Sequence, residues 1–143
     1  MNPHTAPSVT GSIRLWLRAE ALLIFIAAIA FYAHSGAGWG RFAALFLVPD
    51  LSLLAYLVGP RAGAMTYNLA HSSVGPLALA AAAQLGVIPA GALPLACIWL
   101  AHVGFDRTLG YGLKYPTAFG HTHLGAIGKD ALAVRPATLQ PAT

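Results

Sequence analysis

Four long apolar stretches dominate the chain, and each is about long enough to cross the hydrocarbon core of a bilayer as a helix. They run over residues 13–34, 39–58, 62–87 and 90–113, and the short breaks between them contain Gly or Pro. Only 8% of residues are charged and 57% are hydrophobic, which is typical of membrane proteins. Loops this short place consecutive helices antiparallel. The sequence therefore predicts an all-α polytopic membrane protein, an antiparallel up-down bundle of four transmembrane helices.

The predicted bundle occupies residues 13–113, between two polar tails. Residues 1–12 contain two prolines and predict a disordered N-terminal tail. Residues 114–143 form a C-terminal tail, of which 114–128 can fold back on the bundle. The apolar run after Arg14 resembles a secretory signal, but Arg18 and Glu20 interrupt it and the hydrophobicity resumes at once, which favours a retained helix. Cys97 is the single cysteine, so an internal disulfide is excluded.

The basic residues are distributed unequally between the two sides of the predicted bundle. Only Arg41 lies on one side, whereas the other side carries seven: Arg14, Arg18, Arg61, Arg107, Lys114, Lys129 and Arg135. Because basic residues mark the cytoplasmic side, both termini are predicted to be cytoplasmic in a multi-pass protein of the bacterial inner membrane. The net charge of +4 comes from single residues near helix ends. This pattern indicates the lipid bilayer, and not nucleic acid, as the partner.

Ionisable residues interrupt the apolar stretches at one predicted depth. Asp50, His71, His102 and Asp106 lie within spans, where a charged side chain costs about 2.5–3.5 kcal/mol. Counted from the cytoplasmic helix ends, these residues and Glu20 lie about 10–16 Å deep. All four predicted helices thus contribute an acid or an imidazole to one layer. Interhelical hydrogen bonds alone explain any single member, whereas the shared depth of the set favours a functional site.

The polar layer predicts a metal site. His102 and Asp106 are four residues apart on one helix face, and with His71 and Asp50 they give two imidazoles plus carboxylates, a set suited to zinc or iron. Of these, His71, His102 and Asp106 are the predicted metal ligands. Asp50 or Glu20 would then act as general base. His121 and His123, in the C-terminal tail, are candidates for proton transfer. Three further residues are predicted to contact a bound cofactor or ligand: Tyr67, Asn68 and Tyr111.

Six motifs, spread over about residues 14–128, are together distinctive. They are Leu17-Arg18-Ala19-Glu20, Val48-Pro49-Asp50-Leu51-Ser52, Gly59-Pro60-Arg61-Ala62-Gly63, Tyr67-Asn68-Leu69-Ala70-His71, Trp99-Leu100-Ala101-His102-Val103-Gly104-Phe105-Asp106-Arg107, and the tail from Gly110-Tyr111-Gly112-Leu113-Lys114-Tyr115-Pro116 to His121-Thr122-His123-Leu124-Gly125. In these motifs the chain resembles a family of small bacterial integral membrane proteins known as domain of unknown function 4260. The resemblance implies a four-helix membrane protein, but it implies no activity.

Three functional hypotheses follow from the sequence. The first is a metal-dependent hydrolase with a cytoplasm-facing site and a lipid-like or other small-molecule substrate. The second is a haem-binding membrane electron carrier, with His71 and His102 as axial ligands. The third is a non-enzymatic small permease or accessory membrane subunit, in which the polar layer specifies packing or partner binding. Assembly into a homo-oligomer is compatible with each of them.

Overall fold

The computed structural model describes residues 8–129 and residue 131, most of which are helical. The α-helices in this part of the chain are α1 (Gly11–His34), α2 (Trp39–Phe46), α3 (Pro60–His71), α4 (Val74–Gln84) and α5 (Leu93–Leu109). A ten-residue 3₁₀ segment, Val48–Leu57, follows α2, and a short one, Ala90–Ala92, precedes α5. A small antiparallel hairpin, β1 (His121–Thr122) and β2 (Gly125–Ala126), pairs His121 with Ala126 and Thr122 with Gly125.

In the part of the chain that the structure describes, two helical stretches are long and apolar enough to cross a membrane. They are α1 and Trp39–Leu57, which joins α2 to the 3₁₀ segment, with mean hydropathies of 1.8 and 1.4. The predicted helical character is thus confirmed, although the tail adds a hairpin that the sequence analysis did not foresee. The predicted third and fourth spans consist of shorter helices: 62–87 contains most of α3 and all of α4, whereas α5 has 17 residues.

The third predicted span breaks at Ser72, whose backbone is extended (φ −79°, ψ 139°). Pro76 lies four residues later and has no N–H to donate to the Ser72 carbonyl, and its ring would contact that carbonyl in a continuous helix. A new helix therefore starts at Val74. The break leaves His71 as the last residue of α3.

The 3₁₀ segment orders its side chains with a period of three. Such a helix has three residues per turn, so residues three apart are eclipsed. The residues on one face are exposed by 47%, 62%, 62% and 87%: Val48, Leu51, Leu54 and Leu57. The second face holds Pro49 and Ser52, and the third holds Asp50 and Tyr56. Asp50 therefore turns away from the exposed apolar face.

Helix α5 lies at the centre of the fold and packs against α1, α2 and α4, while α3 packs against the 3₁₀ segment. At Gly104 the backbone of α5 lies close to that of α1. A Cβ on Gly104 would lie 2.9 Å from the Phe25 backbone nitrogen and 3.0 Å from the Ala21 carbonyl oxygen. His102 lies two residues before Gly104 on the same helix. The close packing of α1 against α5 helps to bury it, and it is only 1% exposed.

The residues after α5 fold back onto the helices. Gly110 ends α5 in the left-handed conformation (φ 100°), which allows the Tyr111 N–H to reach the Asp106 carbonyl at 2.9 Å. Asn68 on α3 then holds the tail through both ends of its amide. Its Nδ2 donates to the Lys114 carbonyl at 2.9 Å, and its Oδ1 accepts from the Lys114 N–H at 2.7 Å.

Candidate metal centre

Four ionisable side chains from three helical elements meet at one point. Asp50 comes from the 3₁₀ segment, His71 from the end of α3, and His102 and Asp106 from successive turns of α5. One potential ligand atom from each residue lies within 4.8 Å of the other three. Both histidines are buried, with side chains 3% and 1% exposed, whereas the side chains of Asp106 and Asp50 are 16% and 38% exposed. The group is therefore closed on the histidine side and open at Asp50.

The donor atoms are separated as in a tetrahedral metal site. The two Nε2 atoms of His71 and His102 are 3.0 Å apart. Oδ1 of Asp50 lies 3.4 Å from Nε2 of His71 and 3.6 Å from Nε2 of His102. Oδ2 of Asp106 lies 3.5 and 3.8 Å from the same two nitrogens. Zinc bonds of about 2.0–2.1 Å in tetrahedral geometry place ligand atoms about 3.3–3.4 Å apart. The five separations above, 3.0–3.8 Å, lie on either side of this spacing, and the sixth, between the two carboxylates, is within 4.8 Å.

The hydrogen bonding of His71 orients it as a ligand. Its Nδ1 lies 3.0 Å from the carbonyl oxygen of Tyr67, one turn earlier on α3. A carbonyl only accepts, so Nδ1 carries the proton and neutral His71 presents a lone pair at Nε2. The Tyr67 ring also stacks on the imidazole, with centroids 3.7 Å apart and planes at 13°. His71 therefore has a fixed tautomer and a fixed ring plane.

The other three ligands are held by different means. The Tyr67 hydroxyl donates to Oδ2 of Asp106 at 3.3 Å, so one tyrosine supports two ligands. The His102 ring packs edge-on against Phe46, at 5.3 Å between centroids, and its Nδ1 is buried with no hydrogen-bond partner among the described residues. Asp50 depends on the 3₁₀ segment for its position.

Two cationic side chains border the ligands. Arg107 donates to Ser73 Oγ at 3.1 Å and to the His71 carbonyl at 3.4 Å, which ties the break between α3 and α4 to α5. Lys114 is 5% exposed, and its Nζ donates to the Phe119 carbonyl at 3.2 Å. The ammonium also lies 3.2 Å from the ring centroid of Phe119 and 4.6 Å from that of Tyr67.

The electrostatic state of Lys114 reflects burial. Loss of water lowers the pKa of its ammonium to about 8, and the carboxylates of Asp106 and Asp50 oppose this shift. A positive charge is thus held near the two acidic ligands, where it can attract an anion.

Comparison with known families gives a single result. The model of a family described as a domain of unknown function (DUF4260) matches residues 14–127. The chain belongs to this family. The match extends over all four ligand residues and over the tail as far as the hairpin. Searches of curated proteins and of solved structures yield no match.

In this DUF4260 member, the predicted metal residues His71, His102 and Asp106 lie together, and Asp50 joins them. Oδ1 of Asp50, which was predicted as a general base and also considered with the ligand set, lies within 3.6 Å of Nε2 of both imidazoles and so belongs to the same group of potential ligand atoms. The period of three in the 3₁₀ segment produces this placement. The sequence did not reveal the 3₁₀ course of this segment, because most of its residues are apolar and a period of three does not stand out among them.

The predicted base and proton-transfer residues lie apart from the four ligand atoms. Glu20 is exposed on α1 and borders a small pocket of about 70 Å³ together with His123 and Arg107. His123 Nδ1 accepts from the Leu113 N–H at 2.8 Å, and burial lowers the pKa of its imidazole. His121 Nδ1 lies 2.9 Å from Thr117 Oγ1 within the tail. The distance of a residue from the end of its helix does not determine on which side of α5 its side chain lies, so this distance alone could not separate Glu20 from the four residues of the cluster.

The three residues predicted to contact a ligand occupy different positions. Tyr67 touches His71 and Asp106 directly, whereas Asn68 reaches Lys114 and acts on the tail. The side chain of Tyr111 is 44% exposed, and its backbone caps α5. Lys114, which the sequence analysis used only for orientation, lies over the Tyr67 ring. Tyr67 precedes His71 by four residues, a spacing that places both side chains on one helix face. No spacing in the sequence points to Lys114 in the same way.

Proposed function

We propose that this protein is a four-span integral membrane protein that binds one divalent transition metal, zinc foremost, through Asp50, His71, His102 and Asp106. The observation that carries the proposal is the set of donor-atom separations, 3.0–3.8 Å, measured to the two imidazole nitrogens. Two carboxylates and two neutral imidazoles neutralise a divalent cation, which favours its retention in a low-dielectric environment.

Exposed apolar side chains support the bilayer as the surrounding medium. Soluble monomers rarely expose large continuous apolar surfaces. Here leucine, phenylalanine, methionine and valine side chains on several helices are more than 70% exposed: Phe31, Leu57, Val58, Met65, Leu69, Val74, Leu85 and Val87. Lipid contact accounts for these surfaces, and the break at Ser72 is tolerated where it faces protein.

The proposed orientation places both termini in the cytoplasm of a bacterial cell. The seven basic residues on that side of the bundle support it. A reporter active only in the cytoplasm, fused after Thr143, is expected to be active. A reporter that is active only in the periplasm when fused at the same position would contradict the orientation.

We propose that the metal serves hydrolysis of an amphiphilic substrate. An ion held by these four residues would lower the pKa of water to about 7 and would so supply a nucleophile for attack on an ester or phosphoester. Asp50 is the most exposed ligand, so its carboxylate is the one positioned to yield its place to water. Lys114 then offers positive charge to an anionic head group or to the developing oxyanion.

Metal analysis tests the binding step. Protein purified in detergent is expected to contain about one equivalent of zinc, and His102→Ala is expected to remove it. His34→Ala is the matched control, because His34 is exposed at the end of α1. Cobalt substitution is expected to give the intense visible bands of a tetrahedral ion. Metal content that is equal in all three proteins, or absent in all three, would overturn the proposal.

A second candidate is a non-catalytic metal site in an accessory subunit or small permease. The observation that favours it is the closed set of four protein ligands, which is typical of structural zinc, whereas catalytic zinc usually keeps an open position. Hydrolysis of a nitrophenyl acyl ester separates the two roles. Zinc-dependent turnover that His102→Ala abolishes supports the hydrolase, and bound zinc without turnover of acyl esters or phosphoesters supports the second candidate.

The haem hypothesis fits the geometry poorly. Two axial histidines bind opposite faces of a porphyrin, with the iron between their nitrogens. The Nε2 atoms of His71 and His102 are 3.0 Å apart, and both carboxylates lie within 3.8 Å of them. This arrangement leaves no space for a macrocycle, so an absorbance spectrum without a Soret band is expected.

A further inference from the structure

An apolar groove lies beside the metal ligands and is formed by the three elements that carry them, together with Leu45 of α2. Its volume is about 360 Å³, within the usual range of small-molecule sites. It is lined by Leu45, Val48, Pro49, Ser52, Ala70, Leu95, Ile98 and Trp99. Pro49 and Ala70 directly precede Asp50 and His71, and Ile98 is one turn before His102 on α5.

The mouth of the groove lies at the exposed apolar surface. Val48 lines the groove and is also 47% exposed, at the start of the row that continues through Leu51, Leu54 and Leu57. A molecule in the surrounding hydrocarbon therefore reaches the groove laterally, without crossing a polar surface.

The walls leave one polar atom without a partner. Trp99 donates its indole N–H to the Ala70 carbonyl at 2.6 Å, so its polar edge is satisfied and its ring is a fixed apolar wall against Gly75. Ser52 Oγ, by contrast, is buried and makes no hydrogen bond to any described residue. A buried hydroxyl without a partner is costly, and rotation of the Ser52 side chain toward the groove would let a ligand oxygen satisfy it.

We propose that the groove binds the hydrocarbon chain of a single-chain amphiphile, an acyl ester or fatty acid, whose oxygen-bearing head meets Ser52 and the metal. The apolar walls, the lateral mouth and the adjacency to three ligands together support this occupant. The inference rests on the proposed metal site and deepens it by naming the substrate class. An annular bilayer lipid held only by its tails is the competing occupant.

Trp99 provides a direct probe of occupancy. In a Trp16→Phe/Trp39→Phe background Trp99 is the only tryptophan, and bromine atoms on an acyl chain quench its fluorescence on contact. Titration of the zinc-loaded protein in detergent with 9,10-dibromostearic acid is expected to give saturable quenching. Removal of zinc by a chelator is expected to weaken the apparent affinity about tenfold, since the carboxylate loses its partner.

Matched substitutions separate the groove from the rest of the apolar surface. Ala70→Leu fills the groove and is expected to weaken binding at least tenfold, with zinc content unchanged. Ala80→Leu adds the same atoms to a different apolar cavity, between α1, α4 and α5, and is expected to leave quenching unchanged. Ser52→Leu is the second groove variant and decides the matter if Ala70→Leu does not fold.

The outcomes distinguish the two proposals. A protein that holds no zinc refutes the metal site. A protein that holds zinc but shows unsaturable quenching, or equal quenching in Ala70→Leu, Ser52→Leu and Ala80→Leu, refutes the groove assignment alone. Saturable quenching of equal affinity with and without zinc identifies a bilayer lipid and also overturns the assignment.

Discussion

Replacement of Tyr67 by phenylalanine removes one oxygen atom from the support of the metal ligands. The hydroxyl donates to Oδ2 of Asp106 at 3.3 Å, while the ring stacks on His71 at 3.7 Å between centroids. Phenylalanine keeps the ring, and it keeps the backbone carbonyl that fixes the His71 tautomer. The substitution therefore tests the Asp106 contact alone.

The size of the effect follows from the geometry. Loss of a group that supports a metal ligand typically lowers metal affinity 10–100-fold, or about 1.4–2.7 kcal/mol. The 3.3 Å contact is long for a hydroxyl–carboxylate bond, which is usually about 2.5–2.7 Å. We therefore expect Tyr67→Phe to lie at the lower end and to weaken zinc binding about tenfold.

Zinc affinity is measured by competition with a chromophoric chelator, on protein purified in detergent. The control is Tyr32→Phe, because Tyr32 is also fully buried and its hydroxyl also makes a hydrogen bond, to the Gly38 carbonyl at 2.8 Å, but at the end of α1. Both variants lose stability, and only Tyr67→Phe is expected to lose affinity. Equal zinc affinity in Tyr67→Phe and the wild type would refute the role given to this hydroxyl.

Three further predictions concern stability and the tail. Zinc at about 100 times its dissociation constant is expected to stabilise the fold by about 2.7 kcal/mol, measured as a rise in Tm. His34→Ala is expected to show this rise and His102→Ala to lack it; a rise of equal size in His102→Ala would contradict the prediction. Gly104→Ala forces α1 and α5 apart and is expected to cost about 1–3 kcal/mol in thermal unfolding, whereas Gly91→Ala, with open space around it, is expected to be tolerated. Asn68→Ala removes both hydrogen bonds to the Lys114 backbone and is expected to make residues 112–128 sensitive to limited proteolysis. Gln84→Ala, at an exposed position, is the control, and equal cleavage of the two variants would show that Asn68 does not hold the tail.

The helical, apolar character of the fold could be predicted from the sequence because it depends on composition over long stretches. The break after His71 was partly visible, since Pro76 removes a hydrogen bond wherever the helix runs. The 3₁₀ course of Val48–Leu57 was not visible. Nearly all of its residues are apolar, so a period of three and a period of 3.6 leave the same pattern in the sequence.

Residues of the site could be predicted from the sequence where an ionisable side chain interrupts an apolar stretch. His71, His102 and Asp106 are costly within a span, which singled them out. Glu20 met the same criterion of depth, yet it is exposed on α1, because depth along an axis does not determine which way a side chain turns around it. Lys114 lay beyond the last predicted span, and its contact with Tyr67 depends on how the tail folds back.

The irregular backbone lies where the ligands lie, and the geometry of the four donors explains why. A regular helix places neighbouring ligands on one face at spacings of three or four, as α5 does with His102 and Asp106. The other two donors come from separate elements and approach those of α5 closely. His71 Nε2 lies 3.0 Å from His102 Nε2 and 3.5 Å from Asp106 Oδ2, and Asp50 Oδ1 lies 3.6 Å from His102 Nε2. The 3₁₀ turn brings Asp50 onto the inward face, and the end of α3 at His71 allows the chain to leave the ligand layer and to start α4 beside α5. A break in a helix is costly in lipid, because it leaves backbone groups without their hydrogen bonds. Two irregular segments lie beside the same four donor atoms, and this coincidence supports a functional role for the cluster.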